Sequence, residues 1–264
     1  YWASAGKTLT AILVGIAQQE GSLNIKNTTS TYLGNGWTSL TSDKEDMITV
    51  KNQLTMTTGL EYNVSDLYCT LPSCLTYRTD AGQQWFYHNA PYTLLEKVVE
   101  NATGMEYNDY TNHKVESVIG MNGQWISQGY NNVFWSTARD MARFGLLILN
   151  QGKWNDTEVL SDAKYYEQMV NTSQSLNPSY GYLWWLNGKE SIIFPSLPNS
   201  FNISMSDNAP IDLFAGMGKN GQFVEVIPSE NLVVIRLGEA PDGSLVPITF
   251  HNEMWEKINL VINE

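Results

Sequence analysis

The most sustained apolar pattern opens the chain. From Thr8 to Gln19 no residue is charged, while Leu9, Ile12, Leu13, Ile16 and Ala17 recur at helical spacing, which predicts a helix stopped near Gly21. Ser22 to Asp46 is polar and rich in Thr, Ser, Asn and Gly, and reads as a long excursion. Thr49 is expected to cap a helix running on to Gly59, with Val50, Leu54 and Met56 turned inward. Glu61 to Gln84 is irregular. A helix then runs from about Thr93 to Ala102, with Pro91 suited to its entry and Gly104 to its stop. A short helix is expected around Tyr107 to Ile119. Ser136 reads as the cap of an amphipathic helix from Ala138 to Leu149. Ser161 reads as the cap of another, whose apolar face is Tyr165, Tyr166, Met169 and Val170. The period then changes. Tyr180 to Leu186 alternates with aromatics, and Asp212 to Gly216, Gln222 to Ile227 and Leu232 to Leu237 read as three more strands, the last two joined by the turn Pro228-Ser229-Glu230-Asn231. An amphipathic helix from Pro247 to Ile262 closes the chain. The order predicts an α+β fold: a mainly helical middle, an antiparallel sheet and helices flanking it.

Composition narrows the classes. With 264 residues, 42% of them hydrophobic and only 16% charged, the chain is expected to fold as one large domain or two lobes. A net charge of -12 argues against nucleic acid and anionic membrane surfaces as partners. No apolar run reaches eighteen residues, so no membrane span is expected. Tyr1 does not read as a natural start, and an upstream segment is expected to be absent from this sequence. Cys69 and Cys74 flank Pro72 in a short loop that either closes as a disulfide, implying an oxidising compartment, or holds two free thiols. His88, His113 and His251 are scattered without ligand spacing, so no metal is expected. Six Asn-X-Ser/Thr sequons, at Asn27, Asn63, Asn101, Asn155, Asn171 and Asn202, leave glycosylation open in a chain this rich in those residues.

The chemistry begins with Ser4-Ala5-Gly6-Lys7. Positions i and i+3 share a helix face, so Lys7 reaches Ser4 and can take its proton once burial keeps the amine neutral. The competing reading is an N-cap serine beside a solvated lysine, and spacing alone does not separate the two. Ser161-Asp162-Ala163-Lys164 has the same spacing and reads better as a helix start. Further along stand Leu54-Thr55-Met56-Thr57-Thr58-Gly59-Leu60, Tyr87-His88-Asn89, Ser136-Thr137-Ala138-Arg139-Asp140-Met141-Ala142-Arg143-Phe144 and Lys219-Asn220-Gly221.

These five stretches, in this order and spread over nearly the whole chain, resemble the serine β-lactamase and penicillin-binding-protein superfamily, in the branch of class C β-lactamases, esterases and 6-aminohexanoate-dimer hydrolases. The resemblance implies a β-lactamase/transpeptidase-like fold, whose outer strands would come from the absent upstream segment. It divides the chain into Ser4's central helix (1–21), a mainly helical lobe (about 22–135) and a helix-and-sheet lobe (about 136–264) of one catalytic domain. It implies Ser4 as nucleophile, with Lys7 and Tyr87 sharing the proton transfers. Asn89, Lys219, Asn220 and Gly221 would bind substrate, and the backbone N–H groups of Ser4 and Gln222 would form the oxyanion hole. Lys7 and Lys219 are expected to favour the Tyr87 phenolate. No cofactor is implied, and the substrate would be a small-molecule or short-peptide amide or ester. With a disulfide, the resemblance points to a periplasmic or secreted enzyme.

Two literal matches point elsewhere and fail on context. Gly216-Met217-Gly218-Lys219-Asn220-Gly221 has dinucleotide-site spacing, but a strand follows it and not a helix. Ser206-Asp207-Asn208 comes too late in the chain for the class A motif, and no Gly-x-Ser-x-Gly elbow exists. Asn220 stands where the lactamases usually have Thr, and His88 sits inside Tyr-x-Asn. The Asn63–Tyr77 and Glu190–Pro210 stretches read as insertions. The alternatives are therefore a true β-lactamase, a D-alanyl-D-alanine carboxypeptidase or D-aminopeptidase, and a non-catalytic receptor or scaffold that keeps the fold.

Overall fold

A computed structural model describes residues 1–239, 243–244 and 246–262. Its centre is helix α1 (Lys7–Gln19), in which every residue from Lys7 to Ala17 is buried. That burial on all sides is why the stretch carries no charge after Lys7: any charge there would have to be desolvated. Ser4 stands one step earlier than expected, in a separate 3₁₀ turn (Ala3–Gly6) feeding into α1. Ala3 holds φ +48, a left-handed backbone that non-glycine residues seldom adopt, directly before Ser4.

Helix α2 (Val50–Leu54) is shorter than its sequence pattern. Thr49 caps it as expected, in a reciprocal box with Asn52. Helix α3 (Asn89–Thr103) begins earlier than predicted and ends at Gly104 in the left-handed conformation. A hairpin not foreseen from sequence follows, strands β1 (Gly123–Gln128) and β2 (Asn131–Ser136), closed by a two-residue loop with Gly129 at φ +64. It falls inside the stretch expected to be mainly helical. Helix α4 (Ala138–Leu149) is capped by Thr137, not Ser136, with Asp140 completing the box. Helix α5 (Ala163–Met169) is capped by Asp162, not Ser161. In both cases the capping oxygen belongs to the residue next along, whose backbone leads directly into the helix.

The main sheet has four antiparallel strands: β3 (Trp185–Leu186), β4 (Phe214–Gly218), β5 (Gln222–Ile227) and β6 (Leu232–Arg236). Their spatial order is β6-β5-β4-β3. Only Trp185 and Leu186 of the aromatic alternation from Tyr180 pair as strand. Side chains alternate across the sheet. Val224 turns toward α4, where Gly145 has no side chain and lets the helix close to within contact of Val224 and Val233. Phe223 and Glu225 turn to the other face, against the C-terminal helix α6 (Ile248–Ile262). The result is a mixed fold with an antiparallel sheet held between helices, as the order of elements in the sequence predicts.

Candidate active site

The turn that carries Ser4 is pinned from two sides. Trp2 N–H donates to Phe134 O at 2.8 Å and its indole donates to Ser136 Oγ at 2.7 Å, tying the segment to β2. Strand β4 backs the other side. A Cβ on Gly218 would lie 2.9 Å from Ser4 N and 2.7 Å from Trp2 O, so only glycine lets this strand approach so closely. Gly216 does the same against Ala5 O and Thr8.

Lys7 Nζ lies 3.2 Å from Ser4 Oγ. Lys7 is almost wholly buried, its ammonium 4.0 Å from the ring centre of Tyr92 and 5.2 Å from that of Tyr87. Desolvation lowers its pKa to about 7, and no carboxylate contributes. Near neutrality a large share of the molecules therefore carry Lys7 as a free amine. Tyr87 completes the group: its phenol lies near enough to Ser4 for the hydroxyl to act on its pKa, while its ring stacks on Trp185 at 5.7 Å. Burial pushes the Tyr87 pKa up, well above the ordinary phenol value. This corrects the expectation of a phenolate. The field of two lysines does not act here, because Lys7 is itself driven toward neutrality and burial disfavours the anion. Tyr87 is a proton holder, and Lys7 is the group able to take a proton. His88, inside the same motif, is kept neutral by burial, which lowers its pKa to about 4.

Ser4 opens onto a cavity of about 430 Å³ lined by Tyr1, Tyr68, Trp135, Gln128 and Lys219 among others. Larger hollows lie elsewhere, one of about 640 Å³ at the far end of α1, and none holds Ser4. Of the residues expected to bind substrate, Lys219 shares the cavity. Asn89 is buried in the first turn of α3 and does not line it. Lys219-Asn220-Gly221 is not the start of a strand but the turn between β4 and β5, with Asn220 at φ +65 and Gly221 at φ +71. Asn220 spends its amide on the Tyr1 hydroxyl at 2.7 Å. Gly221 is buried under the Arg236 guanidinium, which donates to its carbonyl at 2.9 Å. Gln222 lies across the hairpin, paired with Gly218, and its side chain exchanges hydrogen bonds with the backbone of Gly238. The strand end abutting Ser4 N is Gly218, not Gln222. Cys69 and Cys74 are joined as a disulfide.

Sequence reasoning missed Tyr92, Tyr68 and the hairpin side chains Gln128, Asn131, Val133 and Trp135. The signal for the hairpin was a glycine-led pair between two runs of equal length. For β4 it was Gly216 and Gly218, two residues apart and therefore on one face of a strand. Tyr92 carried no local signal, since its ring meets Lys7 only through the packing of α3 on α1.

Residues 1–244 match the family model described as Beta-lactamase. No curated protein matches the chain. Among solved structures, a Bacillus anthracis protein named as a 6-aminohexanoate-dimer hydrolase superposes with TM-score 0.75 at 19% identity, over 99% of this chain and 72% of that one. A penicillin binding protein from Bacillus halodurans gives TM-score 0.66 at 17% identity, over 98% and 84% of the two chains. A family VIII carboxylesterase gives TM-score 0.67 at 16% identity, over 97% and 82%. At these identities the likeness is one of fold.

Proposed function

The chain belongs to the β-lactamase family, and on that premise we propose that it is a serine hydrolase cleaving an amide or ester through an acyl-enzyme on Ser4. The observation that carries the reading is Lys7: a buried amine with no carboxylate partner, 3.2 Å from a serine hydroxyl that opens onto a cavity. A buried cation is costly unless compensated, and a purely structural lysine would have been given a counter-charge.

The steps follow from the groups present. Neutral Lys7 takes the Ser4 proton as Oγ attacks the substrate carbonyl. The oxyanion forms beside Ser4 N–H, and the strand end that abuts it, Gly218–Lys219, would supply the second backbone donor. Tyr87, beside Ser4, passes a proton to the leaving group and is restored from Lys7. Water then cleaves the acyl-serine with the same groups acting in reverse. The structures it resembles are named as a 6-aminohexanoate-dimer hydrolase, a penicillin binding protein and a carboxylesterase, and this chain's own cavity decides among the corresponding substrate classes. The Cys69–Cys74 bond fits a periplasmic or secreted setting, and no helix among the described residues is long and apolar enough to cross a membrane.

The test is covalent labelling with a fluorophosphonate, followed by turnover of p-nitrophenyl esters, a chromogenic cephalosporin, D-alanyl-D-alanine peptides and linear ω-amino-acid amides. Labelling of the parent and none of Ser4→Ala is expected. Equal labelling of both proteins would refute the assignment.

A further inference from the structure

One wall of the Ser4 cavity comes from a side chain that none of the steps above uses. Tyr68 lines the cavity with Ser4, Tyr1 and Trp135. It stands close enough to Tyr87 for charge on its oxygen to raise the Tyr87 pKa. Its ring is half-buried and its hydroxyl makes no hydrogen bond to any described residue, leaving both a flat face and a polar tip for a ligand.

The loop that presents Tyr68 is unusually fixed for a polar excursion. Cys69, next in sequence, is buried and bonded to Cys74, closing a five-residue separation. Tyr68 N–H donates to Asp66 Oδ1 at 2.8 Å and Cys69 N–H to Asp66 O at 3.3 Å. On the other side, Ala90 N–H donates to Leu67 O at 3.0 Å. Ala90 follows Asn89 and lies three residues after Tyr87, so a single backbone bond sets the loop against the segment bearing the catalytic phenol. The far end of the loop is tied as well, by Ser39 N–H donating to Leu75 O at 3.1 Å.

We propose that Tyr68 is a specificity-determining residue that packs against the acyl group of the substrate, and that the Cys69–Cys74 loop closure holds it in the cavity. The proposal rests on the hydrolase reading and adds to it which acyl groups are accepted: those short or flat enough to lie against the Tyr68 ring. A rigid aromatic wall discriminates by size because a longer acyl chain must displace it. A pocket contact of one methylene is worth roughly tenfold or more in kcat/KM.

The experiment measures kcat/KM for p-nitrophenyl esters of increasing acyl length in the parent, in Tyr68→Ala, in Tyr68→Phe and in the Cys69→Ser/Cys74→Ser double variant. Each is normalised to the fraction that titrates with a fluorophosphonate. In Tyr68→Ala the ratio of long-chain to acetyl ester should rise at least about tenfold, while Tyr68→Phe should keep the parent's ratio. The double variant, or the parent treated with dithiothreitol should the double variant fail to fold, should shift the ratio in the same direction as Tyr68→Ala. A Tyr68→Ala ratio equal to the parent's overturns the role of the ring. A reduced or double-variant protein with the parent's ratio overturns the role of the loop closure. A parent that neither titrates nor hydrolyses any ester overturns the hydrolase reading, and this proposal with it.

Discussion

Lys7 and the Glu225–His251 pair are both shut away from water, one against each face of the same sheet, and the fold treats them in opposite ways. Glu225 is surrounded by partners. His251 Nε2 lies 3.0 Å from Glu225 Oε1, and the Trp255 indole donates to Oε2 at 2.8 Å. The imidazole contact lacks hydrogen-bond alignment. Phe223 closes the cluster edge-on against His251. Among the described residues Lys7 has no acidic partner, only the faces of Tyr87 and Tyr92 and the Ser4 hydroxyl. The Trp255–Glu225 hydrogen bond pins α6 to β5. An uncompensated amine is pushed toward the form that can accept a proton. The difference is between a group fitted to hold two elements together and one fitted to the chemistry proposed for it.

The comparison breaks first at Ser4 and Lys7. Ser4→Ala and Lys7→Met should each lower kcat/KM by roughly 10⁴-fold or more, since either loss disables the unit as a whole. Lys7→Met should also stabilise the fold. The lysine pKa falls from 10.5 to about 7 on folding. The unfolded chain therefore holds a proton that the fold gives up between those values. The penalty is fully present below about pH 7 and is relieved as pH rises toward 10.5. Urea unfolding at pH 6 should show a gain of about 3–5 kcal/mol, shrinking at pH 10. A destabilised Lys7→Met would mean that the amine is held by partners after all.

The opposite centre should respond in the opposite sense. Glu225→Ala removes the acceptor of the buried Trp255 indole, a loss of about 1–3 kcal/mol in urea unfolding. Turnover per titrated active site should stay within about twofold of the parent, since no substrate-facing group is touched. A variant that folds normally but loses activity would erase the distinction between the two centres.

Within the catalytic corner, Tyr87→Phe should reduce kcat by roughly 10²-fold with little change in binding, because the phenol holds and passes a proton without anchoring the substrate. The pH profile gives a smaller effect per unit. Lys7 must be neutral to act, so kcat/KM should fall about tenfold for each unit below its pKa of about 7 and level off above it. Tyr87 stays protonated across that range, so no second limb is expected from it near neutrality. A profile flat from pH 5 to 8 would remove Lys7 from the role of base.

How much of this was legible follows from what kind of information each feature needs. That Ser4, Lys7 and Tyr87 lie together could be expected from sequence, because the roles proposed for them demand particular residue types and Ser4 and Lys7 are only three positions apart. The capping of α2 by Thr49 was legible for the same local reason. The strand that backs Ser4 was legible as a strand, over Asp212 to Gly216, but not as a wall of the site: Phe214–Gly218 has no reactive side chain, and its contribution is the absence of Cβ atoms at Gly216 and Gly218. Long-range pairing hid the rest: nothing near Glu225 in sequence announces His251, and nothing near Lys7 announces Tyr92.

The triplet Lys219-Asn220-Gly221 supplies the smallest effect and the sharpest test of where the catalytic corner ends. A substrate-binding Asn220 would lose affinity when its amide is removed. The structure gives that amide to Tyr1 and sets the residue at φ +65, a conformation glycine adopts without strain. Asn220→Gly therefore removes one hydrogen bond to a cavity wall while relieving the backbone. These are opposing contributions of about 1 kcal/mol each. KM for a p-nitrophenyl ester should move by less than about threefold and kcat should hold, because neither Ser4 nor the end of β4 depends on the amide. A rise in KM of ten-fold or more, a full decade of binding, would put Asn220 back among the substrate contacts and extend the corner into the β4–β5 turn.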